Sequence, residues 1–104
     1  MKNVVTKLTL ENGQEIDLTL TFARLLKVKN KNKKLYNEFM KALQNKDFDI
    51  VFDSAKIIYV AYLCGLDDDM DKALSENTFL EELPMDFALI NTIAAELIQP
   101  NKKK

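Results

Sequence analysis

Asp67, Asp69 and Asp71 stand at alternate positions, the spacing with which a calcium-binding loop begins. Such a loop also needs glycine at its sixth position, for a sharp turn, and glutamate at its twelfth, as a bidentate ligand. Counted from Asp67, those positions hold Lys72 and Thr78, so the ligand set is incomplete. The aspartates suit another task. At the start of a helix, carboxylates accept from the free N–H groups and oppose the helix dipole. The spacing therefore predicts a short helix over residues 70–74, capped by Asp67, Asp68 and Asp69.

Other chemistry is scarce. The chain has no histidine, so the usual base of a nucleophilic triad is missing. Cys64 lies in the apolar run 57–64 and reads as a small buried apolar residue, not a reactive thiol. One cysteine excludes a disulfide within the chain and fits a reducing compartment. Tyr59 and Tyr62 fall on a helical stripe and read as core. Carboxylates abound, but at surface-like positions with no sign of a pocket. The expectation is a protein without cofactor, metal or catalysis.

Charge is arranged in blocks. Arg24, Lys27, Lys29, Lys31, Lys33 and Lys34 form a basic stretch, with residues 27–34 read as a solvated, polar connection. Lysine-rich stretches bind phosphate backbones, so a small helical nucleic-acid-binding regulator using residues 24–34 is the alternative reading. Against it, no aromatic is interleaved between Lys27 and Lys34, and the net charge is −1. Residues 67–86 hold eight acidic side chains (Asp67, Asp68, Asp69, Asp71, Glu76, Glu81, Glu82, Asp86) and one base, Lys72. A basic front and an acidic back could steer copies of the chain head to tail.

The elements that position these residues follow from periodicity. The 104 residues are 47% apolar, enough for one domain with a real core. The strands 4–10 and 15–20 flank Asn12-Gly13, a pair suited to a tight hairpin turn. In the second strand Ile16, Leu18 and Leu20 should face a core, and Asp17 and Thr19 water. Thr21 is placed to cap a short helix with Phe22, Leu25 and Leu26 on one face. A second helical stripe carries Leu35, Tyr36, Phe39, Met40 and Leu43 and should end near residues 44–46. Asp47 would cap a main helix reaching Leu66, with a stripe of Phe48, Val51, Phe52, Ala55, Ile58, Tyr59, Tyr62 and Leu63. Its second half is apolar all round, so it should be the central element, stopped by Gly65.

Thr78-Phe79-Leu80-Glu81 matches a capping box. Pro84 suits the first turn of a last helix, with Phe87, Ile90, Ile93, Ala94, Leu97 and Ile98 inward and Pro100 as its stop. The fold class is α+β, mostly α: an N-terminal β-hairpin, then about five helices in one compact helical domain, residues 1–100. Residues 101–104 form a disordered basic tail. The start, Met1-Lys2-Asn3-Val4-Val5-Thr6-Lys7, is no signal peptide, and no apolar run nears the roughly 20 residues of a membrane span. A cytoplasmic protein is expected.

The layout resembles a known family. An Asn12-Gly13 hairpin leads into Thr21-Phe22-Ala23-Arg24, and a central helix with a tyrosine-rich apolar end follows. The chain then closes on Thr78-Phe79-Leu80-Glu81-Glu82-Leu83-Pro84 and a final helix. This looks like the tail assembly chaperones of long-tailed phages and prophages of Gram-positive bacteria. The resemblance spans nearly the whole chain but rests on patterns of apolar and acidic residues, without a catalytic signature. It implies a contact-only protein that binds the tape measure protein, aids recruitment of tail tube protein, often self-associates, and is absent from the mature virion. It also implies work in the cytoplasm of the bacterial host and, in many relatives, a longer frameshifted form. Candidate contacts are Phe79, Leu80 and Leu83, with Lys27, Lys29, Lys31, Lys33 and Lys34 as a polar rim.

Overall fold

The computed structural model of the chain describes residues 6–44, 47, 49 and 51–98. A two-stranded antiparallel hairpin is followed by five α-helices. Strand β1 (Thr6–Thr9) pairs with β2 (Glu15–Leu18) in the register Leu8 opposite Ile16. The connection is a three-residue loop, closed by Leu10 N–H to Gln14 C=O at 2.8 Å and Gly13 N–H to Leu10 C=O at 2.9 Å. Only Gly13 takes a positive φ there, 91°, whereas a two-residue turn would require it of Asn12 as well. Asn12 contributes through its side chain, which accepts from Gln14 N–H at 2.8 Å.

The apolar face of the hairpin (Leu8, Leu10, Ile16, Leu18) is buried. Thr19 was expected to face water but is buried, because the ladder ends at Leu18 and the Thr19 N–H turns to Ala61 C=O at 3.3 Å. The pleat's alternation stops where the pairing stops.

Thr21 caps α1 (Phe22–Lys31) by accepting from Arg24 N–H at 3.2 Å. The helix runs through the lysines expected in a connection, since lysine is a good helix former and no Gly or Pro interrupts. The inward face is Leu25 and Val28; Phe22 and Leu26 point outward, contrary to the predicted stripe. Asn32 ends α1 and caps α2 (Lys33–Gln44), accepting from Leu35 N–H at 3.0 Å. Leu35, Phe39 and Ala42 form the buried face of α2.

Helix α3 (Phe52–Leu66) is the axis of the fold, buried at Ser54, Ala55 and every position from 57 to 64. The hairpin, α1, α2, α4 and α5 all pack on it, which explains a sequence apolar on both sides. At its start Asp49 Oδ1 accepts from Val51 N–H at 2.8 Å and Phe52 N–H at 3.0 Å. Phe48 lies outside the described residues.

Gly65 does not stop α3, which continues to Leu66; the reversal falls on Asp67 at φ 54°. Residues Asp67–Lys72 form a 3-10 helix, one turn earlier than the helix expected over 70–74. Ser75, not Thr78, caps α4 (Glu76–Glu82), accepting from Thr78 N–H at 3.3 Å. Pro84 precedes α5 (Phe87–Ile98), which Asp86 caps through Leu89 N–H at 3.1 Å. Ile90, Ile93, Ala94 and Leu97 are the inward face of α5, while Phe87 and Ile98 are exposed. Pro100 and residues 101–104 lie outside the described residues. Among the described residues, no helix is long and apolar enough to cross a membrane.

Candidate protein-contact surface

The three apolar side chains singled out in the sequence do not share a surface. Phe79 is fully buried. Its ring stacks on Tyr62, with centroids 4.8 Å apart, and tilts against Tyr59 at 5.2 Å. Leu83 is half-buried against the core, and Leu80 is half-buried at the surface of α4. The spacing of an amphipathic turn shows which residues share a face but not whether that face meets solvent, and α4 turns its Phe79 side onto α3.

The basic stretch is not a loop but the outer faces of two helices. Lys27 binds Asp67 at 2.7 Å and Asp68 at 2.8 Å, Arg24 lies 3.5 Å from Asp67, and Lys31 pairs with Asp71. The hydrogen bond from Lys27 holds the Asp67 carboxyl below its ordinary range, and the same contact raises Lys27. Three cations of the basic block and three carboxylates of the acidic block thus face each other within one chain. Lys29 sits over the Tyr36 ring at 5.5 Å, a cation–π distance. Lys33 and Lys34 are exposed and make no ion pair with a described residue. The cations left for a phosphate backbone are therefore fewer than the sequence suggests.

Asp67, Asp69 and Asp71 each face a cation: Asp69 lies 3.9 Å from Lys72. A second ion-pair centre joins three helices. Lys56 of α3 reaches Glu38 of α2 at 2.8 Å and Glu76 of α4 at 2.6 Å. Burial lowers the Lys56 pKa, the hydrogen bonds it donates to the two carboxylates raise it, and the net shift is upward. Glu38 is lowered chiefly by its bond from Lys56.

Cys64 is fully buried, and desolvation pushes its thiol up to about 11. A thiol raised in the folded state keeps its contribution to stability below the ordinary thiol pKa and loses it as pH rises toward 11. Thiol titration with a chromogenic disulfide should find Cys64 at least ~100-fold slower at pH 8 in the native protein than in denaturant, since only an exposed thiolate reacts. Equal rates would mean that the thiol is open to solvent.

What the molecule does expose is large apolar side chains, among them Phe22, Leu26, Phe52 and Phe87, which periodicity had placed on inward stripes. Phe22 is 93% exposed, Met85 82%, Phe52 67% and Phe87 51%, with Leu26 and Leu89 also open. Phe22 and Leu26 stand one turn apart on the outer face of α1. Met85, Phe87 and Leu89 fall within five residues where the chain enters α5. The Ser54 hydroxyl donates to Asn91 Oδ1 at 3.4 Å, tying the first turns of α3 to α5; Phe52 lies two residues before one partner and Phe87 one turn before the other. No periodicity argument finds these residues, because an exposed phenylalanine has the same spacing as a buried one. Comparison with models of known families, with curated proteins and with solved structures finds no match.

Proposed function

We propose that the chain is a non-catalytic tail assembly chaperone of a long-tailed phage or prophage, one that covers apolar stripes of the tape measure protein and aids assembly of the tail tube. The observation that carries the proposal is the open exposure of Phe22, Phe52, Met85 and Phe87 on a protein whose core is otherwise filled by α3 and its neighbours. Scattered exposed leucines are ordinary on a monomer, but several open phenylalanines favour partner contact. A tape measure protein is long and helical, and its apolar stripes suit such a surface with a charged rim. The sequence resemblance points to the same role. The host cytoplasm, absence from the virion and possible self-association belong to this proposal.

Two paired variants test it: Phe22→Ser with Leu26→Ser, and Met85→Ser with Phe87→Ser. These exposed sites should each change stability by no more than about 0.5 kcal/mol. Co-expressed with a tape measure protein from the neighbouring gene that this reading requires, the wild type should keep that protein soluble, and at least one paired variant should lose most of this effect. Failure of the wild type to solubilise it, or the lack of a tape measure gene downstream, would remove the reading. Full activity in both variants would move the contact elsewhere.

A further inference from the structure

A groove where α1, α2 and α3 meet is bordered by Met70 and residues 73–75, and its surroundings carry two kinds of recognition. Arg24, Lys27 and Lys31 line one face of α1 and meet the carboxylates of Asp67, Asp68 and Asp71. Between those carboxylates, Met70 is buried beside a cleft of about 240 Å³ lined by Val28, Leu35, Tyr59 and Leu63. Met70 leaves this cleft partly empty.

The segment that carries Met70 is lightly held. It is two short 3-10 turns joined by a kink at Asp69 and entered through Asp67 at φ 54°, an uncommon conformation for a residue with a Cβ. Asp68 and Asp71 are mostly in water despite their pairs. Exposed pairs are individually weak and are screened by salt. The firmer anchor is farther on, where Tyr59 O–H donates to Leu74 C=O at 2.8 Å and Leu74 N–H donates to the Tyr62 oxygen at 3.0 Å.

We infer that this groove is a docking surface, contacted in the free protein by its own residues 67–72, for a partner segment of the same chemistry: carboxylates flanking one apolar side chain. The basic face supplies the charge complementarity. The unfilled volume beside Met70 suits a larger anchor such as Phe. This inference shares Lys27 and Lys31 with the polar rim of the chaperone reading but names a different partner chemistry, and its test uses no tape measure protein.

A capped synthetic peptide with the sequence of residues 66–75 is the probe, titrated into the full chain and followed by anisotropy and by the methyl signals of Val28, Leu35 and Leu63. The triple variant Asp67→Asn, Asp68→Asn, Asp71→Asn frees the basic face, and Asn tolerates the positive φ at position 67. It should bind the peptide about tenfold tighter than the wild type, the equivalent of three weak ion pairs released. Adding Lys27→Glu and Lys31→Glu should abolish that binding. No binding to the triple variant, or binding that survives the lysine reversals, overturns the inference. Should the triple variant not fold, hydrogen exchange on the wild type decides. The Ala73 and Leu74 amides should exchange several-fold faster at about 0.5 M than at about 0.05 M salt, with the amides of α3 unchanged. Salt-independent exchange overturns the inference as well.

Discussion

Gly65→Ala should cost the fold about 3 kcal/mol or more, although the same change in most helices is stabilising. Gly65 lies within α3, where alanine is intrinsically favoured by about 0.5–1 kcal/mol. The tertiary structure reverses that sign. A Cβ at this position would stand 2.2 Å from the backbone oxygen of Asp17 and 3.0 Å from its carbonyl carbon. A backbone carbonyl cannot swing away as a side chain does, so relief requires lifting β2 from α3. That would uncover Ile16 and Leu18, both buried against the central helix. Thermal unfolding should show a fall in Tm of at least about 12 °C, taking about 4 °C per kcal/mol for a domain of this size. An unchanged or higher Tm would show that the hairpin does not approach α3 so closely.

Phe79→Ala should cost about 3–5 kcal/mol, the usual range for emptying a fully buried aromatic site. Phe79 is 0% exposed and fills the space between Tyr59 and Tyr62, both of which are also tied to the backbone of Leu74. Its loss would free the two rings and loosen the segment they anchor. Urea unfolding should show a lower midpoint with little change in slope. Single domains commonly hold only about 5–15 kcal/mol in all, so the variant would be marginal at 37 °C. The outcome also separates two roles. A surface contact residue would lose partner binding at unchanged stability, whereas Phe79 should lose stability first.

Much of the fold was legible in the residues. The Asn12-Gly13 hairpin, the Thr21 cap, the burial of Leu35 and Phe39 on α2 and the all-round burial of the second half of α3 follow from local chemistry and from apolar spacing, whereas Ala42 takes the buried place expected of Leu43. Caps were the weakest guide. Thr78 is a good cap residue with suitable spacing, yet Ser75 does the work. Several residues in each segment could accept from a free N–H, and packing of the following helix selects one. The contact surface was less legible. Phe22 and Phe87 share helical spacing with true core residues, and their exposure depends on whether another element arrives to cover them.

The amino-acid sequence by itself determined the class of the fold and its central helix, because periodicity and turn chemistry act over a few residues. It also determined that the catalytic use of histidine is absent. Only the tertiary structure decided that Gly65 marks a close approach of two backbones, since that contact joins positions 48 residues apart. Only the tertiary structure paired the basic block of α1 with Asp67, Asp68 and Asp71, where the sequence read two separate charged halves. Long-range contacts of this kind depend on how α1 and the 3-10 segment dock on the same side of α3, and neither segment carries that information alone.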